Sequence, residues 1–302
     1  MMTMETLVTG IERCATFDGP GIRTVIYLKG CPLRCLWCSN PETQQIENQF
    51  YWDSKKCTKC GKCTEVADCS ITIEDNFWNY NRFTCKDYDT PCLVCPVEGA
   101  LKKVSEKMSI DQIFDIVMKD EKFYRNSGGG VTLSGGEVLI NSDFAIKLFE
   151  KLKEEYINTA IETTGFGSYK ELEKLAKLTD TVLFDIKHID SEKHKEYTAV
   201  PNELILENLE KLSKWHKNIV MRFPLIKGIN DDDWNVLETA KFLKKINLFN
   251  VDVLPYHTMG IEKYRKLRRP YPMPTLEKHT ADELEHVINI MNSEGIRARI
   301  NL

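Results

Sequence analysis

The chain has 302 residues, of which 42% are hydrophobic and 28% are charged, and no apolar run approaches the roughly 20 residues of a membrane span, so this composition excludes a disordered or membrane-spanning chain. Forty-one Lys and Arg against 45 Asp and Glu give a net charge of -4, which provides no overall attraction for nucleic acid or an anionic membrane surface. The N-terminus, MMTMETLVTGIERC, has no basic region followed by an apolar stretch, so we expect a cytoplasmic protein.

Short β-branched apolar runs alternate with longer amphipathic segments, which is the pattern of a parallel sheet with helical crossovers. The strand candidates in chain order are 23–28 (RTVIYL), 130–134 (GVTLS), 159–163 (TAIET), 181–186 (TVLFDI), 219–225 (IVMRFPL) and 251–256 (VDVLPY), with RARIN near the C-terminus as an extra candidate. Helical patterns begin at Ser109, Ser142, Glu203, Asn235 and Thr280. Six strands are too few for a closed eight-stranded barrel, so we expect an open one.

One interval, residues 50–104, breaks this alternation. It shows little helical periodicity and contains the seven cysteines 57, 60, 63, 69, 85, 92 and 95. We expect a separate small domain, folded around metal rather than around a hydrophobic core, inserted into a main domain made of residues 1–49 and 105–302.

Ten of the 11 cysteines lie between positions 31 and 95, and only Cys14 stands apart; we interpret Cys14 as a buried apolar residue. A large chain without an export signal favours metal ligation over disulfides for such closely spaced cysteines. The segment KGCPLRCLWCSNPE places Cys31, Cys35 and Cys38 in a CxxxCxxC spacing after the first strand candidate. A cubane iron-sulfur cluster normally has four cysteine ligands, so three would leave one iron open to a small molecule. The alternative is a structural zinc site completed by a distant His or Cys, although zinc sites prefer CxxC pairs.

Five further motifs accompany the cysteines in chain order. They are TFDGPGIR (16–23), LSGGE (133–137), DIKH (185–188), PLIKGIND (224–231) and LPYH (254–257). With these motifs the sequence resembles the radical S-adenosylmethionine (SAM) superfamily and, within it, the activating enzymes of glycyl radical enzymes. The resemblance extends over essentially the whole chain. It implies an α/β fold, a partial (β/α)6 TIM-type barrel with an inserted small ferredoxin-like iron-sulfur domain.

The resemblance also implies a reaction and its partners. In this family SAM chelates the open iron, and one electron from the reduced cluster cleaves it to methionine and a 5'-deoxyadenosyl radical. That radical abstracts a hydrogen from the α-carbon of a glycine in a partner glycyl radical enzyme. Flavodoxin or ferredoxin is the implied electron donor, and we expect a monomer that binds neither nucleic acid nor a membrane.

Residue by residue, the resemblance assigns Cys31, Cys35 and Cys38 to the cluster and a second group to SAM. That second group is Trp37, Gly135, Gly136, Glu137, Glu162, Asp185, Lys187, Arg222 and His257. The Gly135–Glu137 turn would receive the SAM amino group, because glycines let a backbone approach a ligand closely. Glu162, Asp185 and Lys187 would surround the SAM carboxylate, where some relatives bind a monovalent cation. The Glu at position 162, where many relatives have Asp, argues against that cation here.

These assignments agree with a topological expectation. Cys31, Gly136, Glu162, Asp185, Arg222 and His257 each fall at or just beyond the C-terminal end of a predicted strand. That edge of a parallel βα barrel builds the active site. The DGPGIR turn would lie near the docked glycine loop of the partner, or be only a Gly-Pro turn. The stretch EKYRKLRRP (262–270) is expected to be a solvated loop, with partner contact as the alternative.

The insertion carries its own ligand pattern. CTKCGKC supplies Cys57, Cys60 and Cys63 in the spacing of bacterial ferredoxins, and Cys95-Pro96 fits the fourth position, which predicts one auxiliary 4Fe-4S cluster. Cys69, Cys85 and Cys92 remain for a second, irregular cluster, whose fourth ligand is Asp87, Asp89 or absent. A zinc ribbon of Cys57, Cys60, Cys92 and Cys95 is the alternative. We therefore expect one radical SAM cluster plus one or two auxiliary clusters.

Two other functions fit part of these observations. A radical SAM maturase that modifies a peptide side chain also uses auxiliary clusters, but such proteins usually carry the extra cysteines after the barrel. A non-catalytic iron-sulfur electron carrier leaves the SGGE and DIKH motifs unexplained. Release of 5'-deoxyadenosine on reduction separates the carrier from both enzymes.

Overall fold

The structure is a computed structural model that describes residues 4–68, 70–74 and 77–301. The strands are β1 (Glu5–Ala15), β2 (Arg23–Leu28), β3 (Phe50–Trp52), β4 (Ile71–Glu74), β5 (Phe77–Tyr80), β6 (Leu101–Lys103), β7 (Glu106–Ser109), β8 (Gly130–Gly135), β9 (Asn158–Thr163), β10 (Thr181–Asp185), β11 (Ile219–Leu225), β12 (Asn250–Pro255) and β13 (Arg297–Ile300). The helices are α1 (Lys62–Val66), α2 (Thr90–Leu93), α3 (Ile110–Val117), α4 (Glu121–Ser127), α5 (Ser142–Glu154), α6 (Tyr169–Ala176), α7 (Ser191–Thr198), α8 (Glu203–Ser213), α9 (Asp233–Lys245), α10 (Ile261–Lys266) and α11 (Ala281–Ser293). None of the helices in these ranges has the length and apolar character that crossing a membrane requires.

A parallel sheet forms the centre of the molecule. Across the described ranges, nine strands join it in the order β13-β12-β11-β10-β9-β8-β2-β1-β7. Strands β2 and β8 to β13 run parallel, each beside its predecessor in that series, whereas β1 and β7 are antiparallel at one edge. The predicted parallel-sheet core is therefore confirmed, and every strand candidate corresponds to one of these strands.

The helices cover the sheet through apolar faces. In α5 the buried residues are Phe144, Ala145, Leu148, Phe149 and Leu152, which share one side of a 3.6-residue period. Capping boxes at Ser109 and Thr280 start α3 and α11, because each side chain accepts a bond from the third helical N–H while a Gln or Glu there bonds back. The sequence patterns thus place these helices correctly, and the buried sheet face and the helix faces form one continuous core.

Strand β1 was not predicted, and its irregularity explains why. The register of the β1–β2 pair shifts twice, and Cys14 lies in the second shift with a left-handed φ of 62°. That conformation turns the Cys14 side chain out of the pleat, so it is exposed. The interpretation of Cys14 as a buried apolar residue is wrong.

The insertion has a small aromatic core of its own. Strand β3 pairs with β6, β4 pairs with β5, and the buried side chains of the core are Phe50, Trp52, Ile71, Trp78, Tyr88 and Leu101. Cys57, Cys63, Cys85, Cys92 and Cys95 pack around it. The expectation that no hydrophobic core would form here is therefore wrong, because alternation over such short strands is too brief to read as a pattern. The predicted ligand Cys69 lies outside the described residues.

Candidate active site

One cavity of about 320 Å³ opens where the parallel strands end. Parallel strands put all their carboxyl ends at one edge, so residues distant in sequence meet there. The predicted site residues that line it are Cys31, Cys35, Trp37, Cys38, Gly135, Gly136, Glu162, Asp185, Lys187, Arg222 and His257. Its volume is within the range of small-molecule sites.

The three cysteines lie on one loop that follows β2. Two backbone hydrogen bonds hold this loop. Gly30 N–H, just before Cys31, donates to Thr43 O at 2.6 Å, and Arg34 N–H, between Cys31 and Cys35, donates to Thr198 O at 2.7 Å, at the end of α7. Burial raises the pKa of the Cys35 thiol to about 12 and also raises the pKa values of the Cys31 and Cys38 thiols. Without a metal these thiols are protonated at neutral pH, so positive charge on iron is needed to ionise them.

A buried charge network lies opposite the cysteines. The Arg222 guanidinium is ion-paired with Glu162, donates to Phe17 O at 2.6 Å, and lies 3.8 Å from an Asp18 oxygen. Ser134 donates its hydroxyl proton to the other Glu162 oxygen. Burial raises the pKa of Glu162, but Arg222, together with Ser134 and Lys187, more than offsets this and holds the pKa below its usual range. Arg222 lies inside β11, three residues before its end, rather than at the strand terminus as expected.

Asp18 is the uncompensated member of this network. Burial, followed by repulsion from Glu162, raises its pKa to about 6. Arg222 attracts it, but the Glu162 carboxylate is much closer to the same guanidinium. Two carboxylates therefore share one cation, and Asp18 is the one left partly protonated near neutral pH.

Asp185, the last residue of β10, and Lys187, two residues beyond it, form a second buried pair. Lys187 Nζ lies 2.8 Å from Asp185 Oδ2, and both side chains are at most 13% exposed. Burial disfavours the charge on Lys187, but the Asp185 carboxylate raises its pKa above the ordinary value. The other Asp185 oxygen is buried and has no hydrogen-bond partner among the described residues. It is available to a ligand in the cavity.

Close packing requires the two glycines of the turn after β8. A Cβ on Gly136 would lie 2.0 Å from Gly30 O, and one on Gly135, where φ is +104°, would lie 2.5 Å from Leu28 N and O. Both Cβ positions meet the backbone at the end of β2. Glycine is therefore required for the turn to lie against that strand, which is a different reason from ligand approach.

The buried Glu137 side chain holds this turn in place from the side away from the cavity. Its carboxylate is 1% exposed and accepts bonds from Thr163 Oγ1, Thr164 N at 2.8 Å, Thr164 Oγ1 at 2.6 Å and Leu139 N. It joins the turn to the end of β9. The structure thus places Glu137 in support of the cavity wall, while Gly135 and Gly136 line it.

Trp37, His257 and Asn230 occupy different parts of the site. Trp37 is buried against Ile226 and Tyr256 in the cavity wall, and His257 is exposed at the mouth just after β12. Asn230 is buried and donates to Lys187 O at 2.8 Å and Pro224 O at 2.6 Å. It holds the loop after β11 against the Asp185–Lys187 segment.

Sequence reasoning did not single out Ser134 or Tyr27 as site residues. Ser134 binds Glu162, and Tyr27 lines the cavity while its hydroxyl donates to Glu12 at 2.7 Å. Ser134 precedes the two glycines of the LSGGE motif, and this position could have identified it. Tyr27 lies in a continuous apolar strand, where the sequence gives no signal for a polar contact.

The residues present fit a three-cysteine cluster with SAM. Three thiols, two buried cations and an unpartnered Asp185 oxygen face one cavity, and the Arg222 Nε is also buried without a partner among the described residues. Within residues 4–68, 70–74 and 77–301, no three His, Cys, Asp or Glu side chains form a group that could hold a single metal ion. A cubane does not require such convergence, because each thiolate binds a different iron.

In the insertion, four cysteines line a second, small cavity. These are Cys57, Cys60, Cys63 and Cys95, beside Trp52 and Trp78. Trp78 Nε1–H donates to Cys63 Sγ at 3.4 Å, and Lys59 N–H donates to Cys57 Sγ at 3.4 Å. This grouping has Cys63 in place of the Cys92 that a zinc ribbon would use. Asp87, a candidate fourth ligand of the second cluster, accepts hydrogen bonds from the backbone N–H groups of Asp89 and Thr90.

The basic stretch 262–270 is not a solvated loop. It forms much of α10, and its side chains reach the cysteine loop and the insertion. Lys263 pairs with Glu42 at 2.6 Å, Arg265 pairs with Asp53 at 3.0 Å, and Arg269 donates to Gln44 Oε1 at 2.7 Å. A Cβ on Gly260, just before α10, would lie 2.9 Å from Ser39 Cα. The segment joins the two cysteine-bearing parts of the chain.

Comparison with known proteins extends this picture. The family model of the radical SAM superfamily matches residues 85–240. The choline trimethylamine-lyase activating enzyme of Oleidesulfovibrio alaskensis is 38% identical over 95% of this chain and 95% of its own length. The trans-4-hydroxy-L-proline dehydratase activating enzyme of Clostridioides difficile is 36% identical over 98% and 99%.

Among solved structures, Streptococcus suis SuiB bound to precursor peptide SuiA matches 94% of this chain and 49% of that chain with a TM-score of 0.55. At 13% identity this likeness concerns the fold alone.

Proposed function

The chain belongs to the radical SAM superfamily and, within it, to the activating enzymes of glycyl radical enzymes, and from this premise we propose that it cleaves SAM reductively and abstracts a hydrogen from the α-carbon of one glycine in a partner glycyl radical enzyme. One observation carries the proposal. Cys31, Cys35 and Cys38 share a cavity with the glycine turn and with two buried cations, at the edge of the sheet where parallel strands end.

Each residue has a task in this proposal. Cys31, Cys35 and Cys38 would hold a 4Fe-4S cluster, and when bound, the cluster and its SAM supply the one-electron cleavage that yields the 5'-deoxyadenosyl radical. The Gly135–Glu137 turn would receive the SAM amino group, and Lys187, beside Glu162 and Asp185, would orient the SAM carboxylate by charge, with Arg222 near SAM. Trp37 and the strand walls exclude water, which strengthens these electrostatic contacts.

The same proposal covers architecture and partners. Residues 1–49 and 105–302 form a partial (β/α)6 TIM-type barrel, and residues 50–104 form a ferredoxin-like domain. Cys57, Cys60, Cys63 and Cys95 bind an auxiliary 4Fe-4S cluster there, and the cysteines 69, 85 and 92 contribute to a second. The chain acts in the cytoplasm as a monomer and takes its electrons from flavodoxin or ferredoxin.

The test is anaerobic incubation of the reconstituted chain with SAM, dithionite and the glycyl radical enzyme encoded beside it. We expect a glycyl radical by electron paramagnetic resonance (EPR) and about one 5'-deoxyadenosine per radical. A Cys35→Ala variant removes one ligand and should abolish both products. Glu150→Gln on the exposed face of α5 serves as the control and should retain both. Full reconstitution without either product would refute the proposal.

A further inference from the structure

Lysines lie between the cysteines in the first ligand segment of the insertion. Residues 54–63 contain Lys55, Lys56, Lys59 and Lys62 and no carboxylate, and all four are exposed. Lys102 on β6 joins them, because Lys56 Nζ and Lys102 Cε lie 3.2 and 3.4 Å from the position of a Cβ on Gly99. We call these five residues the lysine collar.

The lysines of the collar differ from those of the helices in their ion pairing. There, lysines pair with carboxylates one turn away, as in Lys174–Glu171, Lys211–Glu207 and Lys241–Glu238. In contrast, Lys55, Lys56, Lys62 and Lys102 form no ion pair with any residue in the described ranges. Lys56 and Lys102 approach the same position beside Gly99, and neither forms an ion pair with a carboxylate of the described residues, so their like charges repel one another and favour contact with an external anion.

The position of the collar gives that contact a function. Cys57, Cys60, Cys63 and Cys95 line one cavity, and of these Cys60 is exposed. The exposed thiol therefore lies within the positive stretch of sequence. A cluster held by these four cysteines would have an exposed ligand, Cys60, that lies between the lysines of the collar in sequence.

We propose that the lysine collar is the docking surface of an acidic one-electron carrier protein, which delivers electrons to the insertion at Cys60. This rests on the proposed function, because it needs the auxiliary cluster. The carrier is oxidised by one electron, the auxiliary cluster is reduced by that electron, and no covalent bond forms or breaks. Charge complementarity sets the encounter rate, and redox partners commonly bind through small interfaces.

The experiment compares two reductants on the same cluster-loaded chain. The variant is Lys56→Gln/Lys62→Gln/Lys102→Gln, which leaves every cysteine in place. The matched control, Lys147→Gln/Lys217→Gln/Lys245→Gln, removes the same charge from exposed lysines of the barrel domain. Reduced acidic flavodoxin is the carrier probe and dithionite is the small reductant. Freeze-quench EPR gives the rate of cluster reduction, and calorimetric titration gives carrier affinity.

With flavodoxin at low salt, we expect the collar variant to be reduced about 10-fold more slowly than the wild type and to bind the carrier more weakly, while the control behaves as wild type. The wild-type rate should fall steeply as salt rises, because screening shortens the reach of exposed charges. Dithionite should reduce all three proteins equally.

Equal rates with flavodoxin in the variant and the wild type would overturn the docking proposal. A second outcome would also overturn it. If the variant were reduced normally by flavodoxin but formed less glycyl radical with dithionite, the collar would bind the partner enzyme rather than the carrier. A wild-type chain that binds no iron at the insertion, or that yields no 5'-deoxyadenosine with dithionite, would instead refute the proposed function.

Discussion

Arg222 shows how a single side chain organises the site. It pairs with Glu162, lies near Asp18 and donates to Phe17 O, so one guanidinium connects β9, β11 and the segment before β2. Ser134 and Arg222 between them occupy both oxygens of Glu162. The positive charge beside this carboxylate is thus built into the chain, and the absence of a monovalent cation at Glu162 stays a prediction.

Asp18 gives a pH prediction. Its folded pKa of about 6 lies above its usual value, so the stability that its protonation contributes is complete below pH 4 and is lost as pH rises through 6. Asp18→Asn removes this loss. As pH rises from 5 to 7, the free energy of unfolding of the wild type should fall by about 1 kcal/mol relative to that of the variant, since one pKa unit corresponds to about 1.4 kcal/mol. Urea denaturation across that range measures it.

The control for Asp18 is Asp115→Asn on the exposed face of α3, which should leave the pH dependence unchanged. Parallel stability curves for Asp18→Asn and the wild type would show that Asp18 is ionised throughout the range and contradict the assignment.

At the scale of elements, the turn after β8 connects strand β8 to the cysteine loop that follows β2. Gly136 donates to Leu28 O and Glu137 donates to Gly30 O, both at 2.9 Å, so the turn continues the pairing of β8 with β2. Gly30 immediately precedes the first cysteine. The geometry of the cysteine loop therefore depends on how closely this turn approaches β2.

Gly136→Ala tests that dependence. The new Cβ would lie 2.0 Å from Gly30 O, so the backbone before Cys31 must move. We expect a loss of stability of about 3 kcal/mol, as for strong overpacking, together with a lower iron content. Urea denaturation and iron analysis measure these effects.

Gly10→Ala is the matched comparison, because its Cβ would meet only Tyr27 Cδ2 at 3.7 Å, an ordinary contact. It should be neutral or slightly stabilising. If the Gly136→Ala variant bound iron and unfolded like the wild type, the tight approach of the turn to Gly30 would be unimportant.

In the described part of the chain, the sheet and the insertion have separate apolar cores of unequal size. The sheet and its helices share one extended apolar core, whereas the core cluster of the insertion contains only six buried side chains. So small a core barely offsets the entropy of ordering its chain. Helix α10 joins the two parts through Lys263 and Arg265, which contact the cysteine loop and the insertion respectively.

Removal of the clusters should therefore affect the two parts differently. We expect hydrogen exchange in residues 50–104 to accelerate at least about 10-fold after chelation of iron, because the proposed auxiliary cluster would supply folding free energy there. Strands β8 to β12 should keep their protection. Mass spectrometry of reconstituted and chelated chains measures both. Uniform acceleration over the whole chain would mean that the insertion does not open independently.

The sequence by itself determined the parallel strands, the cysteine spacings and most residues around the cavity. Buried parallel strands are continuous apolar runs, and their carboxyl ends share an edge, so local patterns sufficed to place Cys31, Gly136, Asp185 and His257 together. The same patterns located α3, α5 and α11 through their caps and apolar faces.

Only the tertiary structure decided which neighbours these residues have. It placed Glu137 behind the turn, exposed Cys14 in a bulge, gave the insertion an aromatic core and turned the basic stretch into α10. Each of these depends on contacts between residues far apart in the chain. Such contacts are fixed by packing and shared charges, which no local pattern records.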